Sequence, residues 1–213
     1  MPKLDEQTQL ARREHILDAA ERCFARAGFH RTSMQDICRE AGISPGALYL
    51  YFASKEALIA GLCEREGSRL AQNISGMTDV PDFMAAITAL AEHYCFEEPV
   101  RKMHLHMQIG AEAVHNPRIA ATLRGTSDDL MAGFAAMIDR VRAEGRIAPQ
   151  FDSHTVTRVL AIMGDGLYWH RAMDPAFDPR EVFPALMSII AHLLNPGHET
   201  QGPTPDVERK KST

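Results

Sequence analysis

Between residues 10 and 194, apolar residues recur at the three- and four-residue spacing of an α-helix, and no segment shows the two-residue alternation of a half-buried strand. In residues 10–27, Ile16, Ala20, Cys23, Phe24 and Ala27 share one face, and Gly28 supplies a C-terminal stop. Thr32-Ser33 opens a second helix. Gln35 and Asp36 are placed there to complete a capping box, and Met34, Ile37 and Ala41 form the apolar face before Gly42 ends it. Ser44 followed by Pro45 is an N-cap with a first-turn proline, so a third helix starts there. It must be short, because Ser54 caps a fourth, in which Leu58 and Leu62 lie one turn apart.

The remaining pattern predicts longer helices. Residues 81–96 carry Phe83, Ile87, Leu90 and Tyr94, and residues 98–114 carry Val100, Met103, Met107, Ala111 and Val114. After Asn116-Pro117 a short helix is expected to lead into a separate one at 127–144, stopped by Gly145; residues 153–171 repeat the period through Val156, Val159, Leu160, Met163 and Leu167. The last helix, 179–194, is apolar around well over half its circumference and therefore needs cover on two sides. A second subunit would supply one side, with Gly164 and Gly166 permitting close backbone approach; a central helix of a monomer is the alternative. The organisation expected is a flexible arm at 1–9, a small helical domain at 10–54, a helical domain at 55–194, and a disordered tail at 195–213.

Composition narrows the class. With 213 residues, 45% hydrophobic and 24% charged, the chain holds ample material for a packed core and is not a fibrous or disordered sequence. The longest strongly apolar run, Leu130 to Ile138, falls far short of the roughly 18 residues that span a bilayer. The opening Met-Pro-Lys-Leu-Asp-Glu has no apolar signal region, so a soluble cytoplasmic protein without a membrane partner is expected. Four cysteines with no Cys-x-x-Cys pair signal neither a zinc ribbon nor a redox dithiol. His104 and His106, two apart on a helix, point about 200° from each other and cannot chelate one ion; His93 and Cys95 fail likewise, so no metal or other cofactor is expected. The net charge is −5, and residues 1–65 balance nine basic against nine acidic side chains. If nucleic acid is bound, oriented donors rather than bulk charge must hold it.

Such donors are present. Three short helices, with a Gly-containing turn before a third that begins Ser-Pro-Gly, describe a helix-turn-helix. Once Ile37, Ala41, Ile43, Leu48 and Phe52 face inward, Ser44, Pro45, Gly46, Ala47, Tyr49 and Tyr51 remain on the open side or its flanks. Tyrosine hydroxyls can bond phosphate oxygens while their rings pack along the sugars. Thr32 and Ser33 offer hydroxyls and N–H groups at a helix start, and Lys55, placed against the dipole preference of the fourth helix, would be reconciled by a bound phosphate. Arg12, Arg13, Arg31 and Arg39 are further candidates on the same domain.

These segments resemble the DNA-binding domain of the TetR family of bacterial transcription regulators. The resemblance runs through Ile16-Leu17-Asp18-Ala19-Ala20, Phe24-Ala25 to Gly28-Phe29, Thr32-Ser33-Met34 with Asp36-Ile37, Ala41 to Phe52, and Ser54-Lys55-Glu56-Ala57-Leu58. It implies phosphate contacts from Thr32, Ser33, Tyr49, Tyr51 and Lys55, with Ser44, Pro45, Gly46 and Ala47 approaching base edges in the major groove. Cys38 and Tyr51 depart from residues common in the family. With so little bidentate capacity in Ser44–Ala47, readout would lean on thymine methyls, water and DNA shape.

The resemblance further implies a homodimer through the last two helices, a roughly palindromic duplex operator, and a small-molecule effector among the C-terminal helices. Candidates to touch that effector are His104, Tyr94, Met103, Met107, Phe134 and Trp169, although stripes of methionine and phenylalanine equally build ordinary core. Two other classes compete: a helical interaction bundle without DNA binding, and an all-α enzyme. Against the enzyme, no Gly-rich phosphate loop, nucleophile elbow or Glu-x-x-His pair is present.

Overall fold

A computed structural model of the chain describes residues 6–77 and 79–196. The expected tail beyond Pro196 and the first five residues of the expected arm lie outside the described residues. The described fold is all-α. It runs α1 (Glu6–Ala27), α2 (Met34–Ala41), α3 (Pro45–Tyr49), α4 (Lys55–Ser75), α5 (Phe83–Glu92), a π-helical turn (His93–Glu97), α6 (Val100–His115), α7 (Pro117–Ala143), α8 (Ser153–Met173), a 3-10 turn (Pro179–Glu181) and α9 (Phe183–Leu194).

The helix starts follow the cap chemistry. Ser33, Ser44, Ser54, Asp82, Asn116 and Asp152 each accept a backbone N–H in the first turn of the helix they precede. Gly42 ends α2 in the left-handed region at φ 65°, which a residue with a Cβ adopts only with strain. Five boundaries differ from the periodicity. Residues 179–194, expected as one helix, divide into the 3-10 turn and α9. Residues 6–9, expected as arm, form the first turn of α1. Residues 117–143, expected as two helices, are one: Thr122 and Thr126 bond back to the carbonyls four residues earlier, and packing against α4, α6 and α8 carries the helix through its polar middle. The segment 81–96 breaks into α5 and the π-helical turn. Asn195 and Pro196, expected as the start of the tail, are tied down, because Ala148 N–H donates to the Asn195 carbonyl at 2.9 Å and Pro196 bridges Ile147.

Two buried clusters hold the molecule. The first contains Ile16, Leu17, Phe24, Ile37, Leu48, Phe52, Leu58 and Leu62, and also Leu105, Ile109 and Ile119 of α6 and α7. The small N-terminal domain therefore shares its core with the helices that follow, and the division at residue 54 is not a break in packing. The second cluster joins Ile74, Phe83, Ile87, Ile138, Val141, Val156, Ile190 and Leu194. Among the described residues no helix is long and apolar enough to cross a membrane.

Candidate DNA interface and effector cavity

The turn between α2 and α3 is set by the residues expected to set it. Ile37 and Leu48 are fully buried, Ala41 and Phe52 nearly so, and Ile43 packs against the same cluster. Ser33 closes a reciprocal capping box: its Oγ accepts from the Asp36 N–H, while Asp36 accepts from the Ser33 N–H at 2.9 Å and from the Ser33 hydroxyl at 2.6 Å. Those bonds hold the Asp36 carboxyl below its ordinary value. Ser44, Pro45 and Gly46 are exposed at the start of α3, and Ala47 is half-buried.

With Leu48 inward, Tyr49 stands 54% exposed and Leu50 84% exposed at the end of α3. Leu50 is the surface residue that sequence reasoning missed. Its signal is phase, since two residues from fully buried Leu48 on a helical path lies about 200° round the axis. Tyr51 is half-buried against the first core cluster. Two expectations are corrected. The Thr32 hydroxyl does not face outward: Thr32 is 2% exposed and donates to the Gly28 carbonyl at 2.8 Å and the Cys23 carbonyl at 3.2 Å. Lys55 needs no phosphate to account for it, because its Nζ donates to the Phe29 carbonyl at 2.8 Å and sits 4.4 Å from the centre of the Phe29 ring. Both side chains clamp the loop that leads into α2. Of the arginines, Arg13 pairs with Glu64, Arg39 with Asp36, and Arg31 donates to the Ala27 carbonyl.

The other half of the molecule holds a cavity of about 320 Å³ that is partly open to solvent. Its wall is built from α4 (Leu70, Ile74), α5 (Ile87, Leu90), the π-helical turn (Tyr94, Cys95), α7 (Leu130, Phe134), α8 (Thr157 to Tyr168) and α9 (Leu186, Ile190). Of the six expected effector residues, Tyr94 and Phe134 line it. The rest do not. Met103 is fully buried core and Met107 lies half-buried elsewhere; Trp169 is 50% exposed on the outside of α8. His104, expected to point inward, is exposed and bonds the Ala172 carbonyl at 3.1 Å. The reason is that α6 packs against α1, α7 and α8 together, so its buried residues are Met103, Leu105 and Ile109 rather than one simple stripe. Val100 and Val114, placed on that stripe, are exposed. Burial pushes the Cys63 thiol up to about 11 and raises that of Cys95, so both remain protonated at neutral pH.

Between head and cavity lies a charged layer. Glu98 is 4% exposed, with Arg69 of α4 at 3.4 Å, Lys102 of α6 at 3.4 Å and His93 at 3.3 Å. Glu21 of α1, 5% exposed, meets Arg65 of α4 at 2.5 Å and Arg101 of α6 at 3.2 Å. Buried carboxylates on this scale persist only when paired.

Comparison with known proteins matches two segments of the chain. Residues 16–62 match the model for bacterial regulatory proteins of the tetR family, and residues 84–195 match that for the C-terminal domain of BetI-type transcriptional repressors. The HTH-type transcriptional regulator UidR of Escherichia coli strain K12 is 34% identical over 152 residues, which cover 70% of this chain and 75% of UidR. Salmonella enterica GusR superposes with a TM-score of 0.76 at 28% identity, covering 91% of this chain and 99% of GusR. A Saccharomonospora viridis regulator solved in complex with choline superposes at 0.67 with 20% identity, covering 84% of this chain and 94% of its own. With both halves of the chain matched and the helix-turn-helix built from the residues just described, this chain belongs to the TetR family of bacterial transcription regulators, DNA-binding proteins that respond to ligands and are not enzymes.

Proposed function

We propose that this protein is a homodimeric cytoplasmic repressor that binds a roughly palindromic operator and leaves it when a small molecule fills the cavity. The observation that carries the DNA-reading part is the division of α3 and its flanks: Leu48 and Phe52 are buried, while Ser44, Pro45, Gly46, Tyr49 and Leu50 stand exposed. In this reading Ser44, Pro45, Gly46 and Ala47 approach the bases, Ser33, Tyr49 and Tyr51 touch phosphates and sugars, and Leu50 offers an apolar contact. Thr32 and Lys55 support that surface from behind.

The dimer reading rests on α8 and α9. Ile162, Trp169 and Met173 of α8 and Ile189 of α9 are 50% exposed or more, and a Cβ added at Gly164 or Gly166 would meet no atom within 4 Å. A large exposed apolar face of this kind is normally covered by another chain. The effector reading rests on the cavity, and the choline-bound neighbour is consistent with a fold that accommodates small organic molecules. For release, the effector must bind one spacing of the two heads better than the other.

The deciding experiment measures binding of the purified protein to duplexes from the DNA flanking its own gene, across a salt series, beside Tyr49→Ala. Tight binding to one duplex is expected, weakened steeply by salt and at least about tenfold by the substitution, with the thermal midpoint unchanged. No DNA affinity at low salt for the folded wild-type protein would overturn the proposal.

A further inference from the structure

The cavity between α4, α5, α7, α8 and α9 has a chemistry of its own. Among the described residues, no lysine, arginine or histidine lines it. Its one charged lining residue is Asp165, which is largely exposed and has His106 Nε2 at 3.4 Å. The guanidinium of Arg171, close by on α8, is turned to the Tyr94 and Glu98 carbonyls at 3.2 and 3.4 Å. At the same end the phenols of Tyr94 and Tyr168 are kept protonated by burial first and by the negative charge of Glu98 after it. Of the lining itself, an anionic head would meet the Asp165 carboxylate and no cation, since the nearby Arg69, Lys102 and Arg171 are engaged by Glu98 and by backbone carbonyls.

At the other end stands a polar group without a partner. Thr157 is 2% exposed, lines the cavity, and its Oγ1 makes no hydrogen bond. The contrast with other helical threonines is informative: Thr88, Thr122 and Thr126 each donate to the carbonyl four residues back, at 2.8, 3.2 and 3.2 Å. A buried hydroxyl left unpaired is destabilising, and a hydrogen-bonding group brought against it relieves it. Thr157 and Asp165 are eight residues apart on α8, about 12 Å along its axis, so the cavity runs lengthwise beneath that helix.

Building on the reading of this cavity as the effector site, we infer that the effector is an elongated amphiphile without an anionic group: an apolar body of about 12 Å lying along α8, with a hydroxyl or carbonyl head on Thr157 Oγ1. Its body packs on Phe134, Leu160, Leu186 and Ile190, where nothing but apolar surface is offered. A carboxylate of the same shape is rejected, because it must either lose its charge or be buried without a counter-ion.

The test uses the full chain without DNA and two probes of one skeleton, 1-decanol and decanoate, measured by calorimetry at about pH 7.5 against wild type, Thr157→Val and Thr157→Ser. Expected are binding of 1-decanol, decanoate at least about a hundredfold weaker, a loss of about tenfold for 1-decanol in Thr157→Val, and recovery in Thr157→Ser. Thr157→Val is also expected to melt no lower than wild type, since it removes an unsatisfied hydroxyl at constant volume. Decanoate binding as tightly as 1-decanol, an unchanged affinity in Thr157→Val, or no binding of either probe overturns the inference. DNA affinity of the unliganded protein is measured separately. A chain that binds DNA but neither probe loses only the effector class; one that binds 1-decanol but no DNA loses the regulator reading.

Discussion

Ser33 and Asp36 show how much a single pair of side chains decides. They satisfy both ends of the first turn of α2, the helix that sets the angle of α3. Ser33→Ala is expected to lower stability by about 1 kcal/mol, read as a shift of the urea midpoint at constant slope. Asp36 adds a pH dependence whose sign follows from its carboxyl, which hydrogen bonds from Ser33 hold below the ordinary value of 3.8 in the folded state. A depressed folded pKa means that its contribution is present above the unfolded value and lost as pH falls through the folded one. Asp36→Asn is therefore expected to melt below wild type at neutral pH, with the gap closing in acid; a gap independent of pH would refute it. The pairing of Ser33 with Asp36 is legible in the sequence because a cap involves residues three apart. The fates of Thr32 and Lys55 are not, because their partners, Cys23 and Phe29, come from chain folded back upon them.

At the scale of elements, α4 is the beam of the molecule. Its first turn carries the end of the DNA-reading head, its middle crosses α1, and its last turns enter the cavity wall at Leu70 and Ile74. Two glycines permit the close crossings. A Cβ on Gly61 would stand 2.9 Å from Phe52 Cε1 and 3.0 Å from Leu17 Cδ2, and one on Gly67 would stand 2.7 Å from the Thr126 methyl. Gly61→Ala is expected to destabilise by about 1–3 kcal/mol through overpacking, despite its better helix propensity. A denaturant midpoint equal to or above that of wild type would show that Phe52 and Leu17 yield at no cost. Hydrophobic period finds α4 but not this role, since a period reports which side is buried and is silent about how near the neighbour lies. The same limit misplaces His104. A single buried stripe on α6 would turn that imidazole inward, whereas three packed neighbours bury residues at several angles and leave it outside.

For the whole molecule, the question is how filling the cavity reaches the head. Tyr94 and Cys95 belong both to the cavity wall and to the π-helical turn, and the next residue after that turn is Glu98, which holds Arg69 of α4 and Lys102 of α6. A ligand that moves the turn therefore moves the anchor of α4. Glu98→Gln is expected to leave DNA binding without effector in place while cutting the effector-induced loss of affinity by at least about fivefold. Equal coupling in the variant, measured as the ratio of DNA affinities with and without effector, would exclude this route. The dimer is tested at the same scale. Ile189→Arg is expected to convert a particle of twice the 23.6 kDa chain mass into one of single mass by light scattering, and a wild type of single mass would remove the dimer reading.

Local signals in the chain were enough to establish the all-helical class, the caps, and the turn between α2 and α3; the identity of the head came from the resemblance those segments carry. Class, caps and turn depend on residues within a turn or two of one another, where propensity, capping and phase act directly. Packing settled what local signals left open: that α7 is continuous, that Thr32 and Lys55 face inward, and that His104, Met107 and Trp169 stand away from the cavity while Thr157 lines it. Thr32 is turned inward by carbonyls four and nine residues back, which hydrophobic period does not register; the other outcomes turn on which helix lies against which, and contacts between residues tens of positions apart leave no periodic trace in the chain that makes them.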